Sequence, residues 1–383
     1  MTTTPRRSLC ALMALVALGA AGCGSAASRS AAGSTSPAVA ATSPLASAIT
    51  SQDGAWAVLV MGGSAADENN FWQLFHRPSG STRWSLVTPP AVADNGGLVA
   101  AAETGGLEVA FRPSQDLTFS PLTSTTDNGQ HWAPGLLYAS IAAVPDALAV
   151  QGKTMLALLA DGTIDQSATR GATWARLAQA RAIATSTAGS RCGVTALTAV
   201  SFAPSGSALA GAACAKAGGT GVFVYTDGGW RASGPTLTGS LASQPVRVLR
   251  LTSTSAGNTA LLMSGTGRHA SLYTAWTSDG SHWTLSPAFP TGGGQVKASG
   301  TGQGGLTWVL LSDGRAMTIN GSGAAWRVLP ASPTGTATLA ALPGGMVDAL
   351  VAAGSKLTVF QLSGSTWVDT QVIEVPVQYG SSS

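Results

Sequence analysis

Four histidines, four cysteines and seventeen carboxylates hold most of the chemistry open to this chain of 383 residues. His131 and His282 each directly precede a tryptophan, so they travel with a repeating scaffold and read as surface strand residues. His76 and His269 stand singly, without a partner at zinc-ligand spacing. The densest run of oxygen ligands is Asp67, Glu68, Asn69 and Asn70; it lacks the EF-hand spacing, so an exposed polar loop is the first reading and a weak calcium site the second. Glu103 and Glu108 flank Gly106 and read as a solvated hairpin end. No glycine-rich stretch has the strand-then-helix setting of a phosphate loop. The expectation is therefore no catalytic set, no metal and no cofactor.

The cysteines point to a compartment. Met1–Arg7 is a short basic region, Leu9–Gly19 an apolar run, and Ala20–Cys23 reads AAGC, the layout of a secretory signal. The apolar run is shorter than the roughly 20 residues of a membrane-spanning helix. The small residues ending in Cys23 resemble the lipobox of bacterial lipoproteins, which implies that the Cys23 thiol takes diacylglycerol and becomes the mature N-terminus; Ala20 stands where Leu is commonest. An ordinary secreted protein with an incidental Cys23 is the alternative, and Arg6–Leu9 also admits twin-arginine export. Cys10 leaves with the signal, so Cys192 and Cys214 remain as an even pair in an oxidising compartment. A turn around position 203 lies midway between them, and a hairpin folded there opposes the two at disulfide distance.

Four segments follow: a signal peptide over 1–22, a lipidated Cys23 with an Ala/Ser-rich tether to 47, a folded region over 48–378, and a tail over 379–383. The tether composition cannot bury enough apolar area to offset chain entropy. The folded region exceeds the ~250–300 residues of one core, so two domains or a repeat are required. Charged residues make up 10 % of the chain, and the net charge of +3 falls to about +1 once Arg6 and Arg7 are removed. That balance gives no polyanion-binding surface and disfavours nucleic acid as a partner.

Short runs rich in Val, Leu, Ala and Thr alternate with glycine turns, an all-β pattern. Two markers recur seven times in fixed order. The first is a tryptophan after a turn: Trp84, Trp132, Trp174, Trp230, Trp283, Trp326 and Trp367. The second, 21 to 30 residues upstream, is a glycine turn and an apolar strand, at Gly54, Gly106, Gly152, Gly206, Gly257, Gly305 and Gly345. Each unit reads as strand A, glycine turn, buried strand B, loop, strand C, glycine turn, and strand D starting at the tryptophan. Unit lengths of 40 to 56 residues suit four-stranded propeller blades. The expected fold is an all-β, seven-bladed β-propeller of four-stranded antiparallel blades.

The C–D turn resembles the Asp-box (BNR repeat) of sialidases and related propellers, S/T-x-D-x-G-x-x-W. Thr125, Asp127, Gly129 and Trp132 match throughout, and Thr277, Asp279, Gly280 and Trp283 form a shortened copy. Ser167, Gly171 and Trp174 form another, with Thr169 in place of the acid. The resemblance implies a structural box, its carboxylate accepting backbone N–H groups of its own turn while the tryptophan packs between blades. A sialidase site, as that resemblance implies, needs three arginines, a Tyr–Glu pair and an Asp acid. This chain offers Phe111-Arg112-Pro113 for the arginine motif, and only Tyr138, Tyr225, Tyr273 and Tyr379, so the set cannot be assembled.

These readings predict a monomeric lipoprotein at the outer face of the bacterial cytoplasmic membrane, with the propeller as a non-catalytic module for a protein, peptide or glycan. A sialidase-like glycan hydrolase with a divergent site is the alternative. Recognition is expected on loops. The longest stretches without strand pattern are Gly63–Asn70, Gln179–Arg191 and Thr291–Gly305; in the repeat they fall in B–C or D–A connections, on one face, with Trp72 and Arg77 as candidate contacts.

Overall fold

Each predicted strand B takes shape as an extended, almost wholly buried run, because Val, Leu, Met and Ala at consecutive positions can only be covered on both sides. The computed structural model describes residues 47–51, 53–62, 70–89, 98–103, 106–111, 122–134, 145–301, 305–321, 324–342 and 344–376, all within a compact unit over Ser36–Ser383. The signal peptide, Cys23, the tether up to residue 46 and the tail at 379–383 lie outside the described residues.

The strands come in antiparallel meanders. The first is β1 (Ser47–Ser51), β2 (Gly54–Gly62), β3 (Asn70–Pro78) and β4 (Ser85–Leu86); the second is β5 (Leu98–Glu103), β6 (Gly106–Phe111), β7 (Leu122–Thr125) and β8 (Ala133–Pro134). The third is β9 (Pro145–Gln151), β10 (Thr154–Leu159), β11 (Thr163–Ser167) and β12 (Ala175–Gln179). Helices α1 (Ala180–Thr185) and α2 (Thr187–Cys192) lead to β13 (Val194–Phe202), β14 (Ala208–Ala217), β15 (Val222–Thr226) and β16 (Gly229–Ala232). After α3 (Gly239–Ala242) come β17 (Pro245–Thr254), β18 (Gly257–Ser264), β19 (Ser271–Thr277), β20 (Thr284–Leu285) and β21 (Phe289–Pro290). Then follow β22 (Val296–Thr301), β23 (Thr307–Leu311), β24 (Ala316–Ile319) and β25 (Arg327–Val328). The last meander is β26 (Thr336–Ala341), β27 (Val347–Ala353), β28 (Lys356–Ser363) and β29 (Thr366–Glu374). Five sheets have four strands each, and a nine-stranded sheet joins β13–β16 to β17–β21 through β14 and β17.

The first strands of the meanders touch in a closed cycle: β1, β5, β9, β13, β17, β22, β26 and back to β1. They form the inner wall, and the fourth strands, from two residues in β4 to nine in β29, lie outermost. The A–B and C–D turns therefore share one face of the ring, and the B–C and D–A connections share the other. Tight turns at strand starts depend on glycine: a Cβ on Gly54, at φ 140°, would meet the Arg77 carbonyl oxygen at 2.0 Å, and one on Gly257, at φ 131°, the Thr277 carbonyl at the same distance.

The core is a series of layers between neighbouring meanders. Trp56, Val58, Leu74, Leu107, Val109 and Trp132 fill the first layer; Ala110, Leu122, Ala157, Leu159 and Trp174 the next. Trp230, Trp283 and Trp326 join the following layers, and Trp84 and Trp367 the one uniting the last two meanders with the first. Each marker tryptophan thus packs on the preceding meander. Trp326 Nε1 donates to the Pro287 carbonyl at 3.0 Å and Trp367 Nε1 to that of Pro330 at 3.3 Å, securing the ring edge.

Among the described residues the seam between first and last meanders has no exchanged strand: β1–β4 and β26–β29 are each continuous in sequence. Side chains hold it. Arg77, at the end of β3, pairs through Nη1 with Asp348 of β27, both about 1 % exposed. Trp84 Nε1 donates to the same carboxylate at 2.8 Å. The Gln371 amide accepts from Trp84 N–H and donates to Trp84 C=O, both at 2.8 Å, acting as a substitute strand partner. Gly62 N–H donates to Gly354 C=O at 2.8 Å.

Cys192 and Cys214 are bonded, with Cα atoms 4.9 Å apart. The hairpin geometry differs from expectation. Val194, not Cys192, opposes Cys214 in the β13–β14 ladder, and Cys192 closes α2, so the bond pins a helix to a strand. Gln179–Arg191, expected as irregular, is thus mostly helical: Ser186 caps α2 by accepting from Gly189 N–H at 3.0 Å. Thr291–Gly305 likewise contains the whole of β22. Glu108, expected at a solvated hairpin end, is 2 % exposed and takes Arg170 Nε at 2.5 Å from the next meander, because its place in β6 turns it toward that neighbour.

Two outcomes follow. Asp348→Ala strands Arg77 in a dry seam and should cost about 3–5 kcal/mol in denaturant unfolding, while the double variant Arg77→Met/Asp348→Leu recovers most of the loss. Replacing Cys192 and Cys214 by serine should cost about 3 kcal/mol, read as a lower Tm, since a loop of about 20 residues is released in the unfolded chain.

Candidate binding surface

The Thr–Asp turns are built for local bonding. Thr125 Oγ1 donates to Asp127 Oδ1 and accepts from Gly129 N–H, each at 2.9 Å. Asp127 Oδ1 accepts from His131 N–H at 2.9 Å, and its Oδ2 meets His131 Nδ1 at 2.6 Å. The backbone bond from His131 and then its ring lower the Asp127 pKa to about 2. The second copy repeats this: Asp279 takes Ser281 N–H and His282 N–H at 2.8 Å and His282 Nδ1 at 2.6 Å. The His282 ring and backbone hold its carboxyl well below the usual range, and the carboxylate in turn raises the imidazole. Where Thr169 replaces the acid, its hydroxyl accepts from Thr173 N–H at 2.8 Å, and Ser167 Oγ from Gly171 N–H at 2.9 Å. His131 and His282 are about 90 % exposed. Carboxylates ionised this firmly hold turns and are poor proton donors at neutral pH.

The two candidate contacts are not on the surface. Trp72 is buried between the first two meanders, and Arg77 is the seam cation described above. Both lie in β3, where alternation turns Trp72 and Leu74 to one neighbour and Phe75 and Arg77 toward the seam. Asp67, Glu68 and Asn69 lie outside the described residues. His76 is also internal, its ring centroid 4.1 Å from that of Trp56. Burial lowers its pKa to about 4 against the opposing charge of Asp53.

A cavity of about 600 Å³ opens between the last two meanders, on the face with the A–B and C–D turns. Small residues make the space: Ala256, Ala324, Ala325 and Ala341, with Gly344 and Gly345 in a tight turn closed by Leu342 N–H on Met346 C=O at 2.8 Å. Leu306, Ile319, Leu342 and Val347 supply apolar wall; Asn320, Arg327 and Met346, the last 42 % exposed, are its more open members. Its described lining contains no carboxylate, imidazole, thiol or aromatic ring. Sequence reasoning missed the cavity because its residues come from turns and adjoining strand ends of four meanders, and glycine or alanine in a turn carries no signal of the space it leaves.

The fold is a β-propeller. No family model matches the sequence, and no curated protein does. Among solved structures, a protein from Lactobacillus plantarum is similar over 84 % of this chain and 97 % of its own, at 10 % identity and a TM-score of 0.52. YCF48 from Cyanidioschyzon merolae is similar over 87 % and 95 %, at 14 % identity and 0.46. The fucose-specific lectin from Aleuria aurantia is similar over 90 % and 99 %, at 12 % identity and 0.38. At these identities the likeness concerns the fold alone.

The buried His76 gives a pH dependence. Its pKa is lower folded than unfolded, so unfolded chain takes up the proton first as pH falls. Stability should be full above about pH 6.5 and decline toward pH 4. Thermal melts across that window should show a shallower decline for His76→Phe, which keeps the ring contact with Trp56 and removes the proton site.

Proposed function

We propose that this chain is a non-catalytic binding module, exported and held by a lipid on Cys23 at the outer face of the cytoplasmic membrane, that takes an apolar side chain of a protein or peptide into the cavity between the last two meanders. The observation that carries the reading is the composition of the cavity lining. A hydrolase pocket needs two carboxylates about 5–10 Å apart, and the described lining has none. Sugars are usually met by aromatic platforms, also missing from the described lining, which favours a peptide over a glycan. Apolar walls with a guanidinium and an amide suit a hydrophobic anchor flanked by main-chain or acidic acceptors.

The cyclic packing of first strands and the recurrence of the tryptophan layer support seven blades of four strands. The hydrogen bonding at Asp127 and Asp279 supports reading their turns as Asp-boxes. For the anchor, the support is the AAGC sequence behind a basic and apolar leader, together with a disulfide suited to an oxidising compartment. The cavity lies on the face opposite to the one that loop lengths favoured.

Two experiments test this. Selection from an unbiased peptide display library should enrich sequences with a large apolar residue. Ala325→Trp should weaken their binding at least about tenfold, equal to ~1.4 kcal/mol, with Tm nearly unchanged. Equal binding by the variant, or turnover of glycosides lost on replacing one carboxylate, would sink the module. For the anchor, mass spectrometry should find an acylated N-terminus at Cys23, and Cys23→Ser should be released from membranes; unchanged retention would refute it.

A further inference from the structure

The connections on the B–C and D–A face differ in charge around the ring. Arg181 and Arg191 on α1 and α2, Lys216 at the end of β14, Arg268 in the short 3₁₀ turn Gly267–His269, and Lys297 near the start of β22 are all exposed. They come from successive connections of the fourth to sixth meanders and the helices before them. Among the described residues none pairs with a carboxylate. Lys216 Nζ donates to the Ser190 carbonyl at 2.9 Å, tying the helical part of the arc to the strand part. Of the acids on this face, Asp313 and Glu374 are taken by Arg315 at 2.8 Å and Lys356 at 3.0 Å. Asp146 and Asp161 also stand on this face, in the third meander, with Asp161 exposed beside α1, where Ala180 N–H donates to Gly162 C=O at 2.9 Å; Asp67, Glu68, Asp94 and Asp116 lie outside the described residues. The opposite face instead sets Asp127, Asp227 and Asp279 among its cations, with Arg231 paired to Asp227 at 3.0 Å.

The same face holds the start of β1. β1 runs from Ser47 to the turn before Gly54, which is on the cavity face, so Ser47 lies at the other end. A linker with the length and composition of residues 24–46 has an average reach of roughly 25–30 Å. β1 touches β22, the strand that carries Lys297.

We infer that the B–C and D–A face rests on anionic phospholipid headgroups through this arc, leaving the cavity pointing away from the membrane. The inference depends on the lipid-anchor reading for its orientation. A tether that short keeps the arc at high local concentration over the headgroups. Each exposed cation close to such a surface contributes about a fivefold gain in partition, and the gain disappears with salt.

The test uses exported full chain carrying Cys23→Ser, so that lipid cannot contribute, sedimented with phosphatidylglycerol-containing vesicles or with pure phosphatidylcholine. Binding to the anionic vesicles alone, released by salt and lowered about fivefold or more by each of Arg181→Glu and Arg268→Glu, is expected. Arg83→Glu and Arg231→Glu, on the cavity face, should bind as the parent does. Equal binding to both vesicle types, no binding to either, or equal losses for the two pairs of variants would overturn the inference. Failure of the anchor reading shows separately, as a Cys23 without acyl mass, and leaves the vesicle comparison standing.

Discussion

Everything in this ring depends on a seam whose two sides are separated by 271 residues of sequence, the distance from Arg77 to Asp348. Every other boundary joins meanders adjacent in the chain, so the linking peptide keeps them close. The last boundary has no such help and, among the described residues, no exchanged strand. A buried ion pair alone gains little over apolar packing once desolvation is counted. It does, however, make misregistry costly, since a shifted seam leaves a guanidinium or carboxylate alone in a dry layer. Trp84 and Gln371 add direction: an indole N–H on the shared carboxylate and a side-chain amide bonded to both polar groups of one backbone residue fix the docking height.

Elsewhere the boundaries use the same economy with different residues. Glu108 and Arg170 bridge the second and third meanders. Asn258 Nδ2 reaches the Phe202 carbonyl at 2.6 Å between the fourth and fifth, and Arg250 Nε reaches Ser299 Oγ at 3.2 Å between the fifth and sixth. Each polar clasp sits in a layer made mainly of Ala, Leu and Val together with a marker tryptophan. Apolar area supplies the attraction and the clasp sets the register, so the scaffold tolerates degenerate turns. Thr169 can stand for an acid because the turn needs only an acceptor for Thr173 N–H.

The scaffold was legible in the sequence because its markers are local. A glycine before an apolar run and a tryptophan after a turn each report on a few neighbouring residues, and their order revealed the repeat. The disulfide partners were legible from the expectation of export and from parity, but their geometry was not: helix α2 takes Cys192 out of the ladder, and a six-residue helix leaves too short a periodicity to detect. Arg77 and Trp72 were misread for a related reason. Polar and aromatic residues in β3 look exposed until the seam and the first layer are known, and both are made by residues remote in sequence. Glu108 failed in the same way. The cavity was invisible because it is defined by the absence of side chains at Ala and Gly positions.

Charge shows the limit most clearly. A near-neutral total, with 10 % of residues charged, argues against any polyanion-binding surface, and it is an average over the whole chain. But the ring sorts residues by connection type, not by sequence neighbourhood. Arg181, Lys216, Arg268 and Lys297 are scattered over more than a hundred positions, yet their strand ends share one face, while acids such as Asp127 and Asp279 sit in C–D turns on the other. Composition is blind to that sorting; topology creates it. A propeller therefore distributes its charges between two faces by connection type, which a balanced total does not reveal.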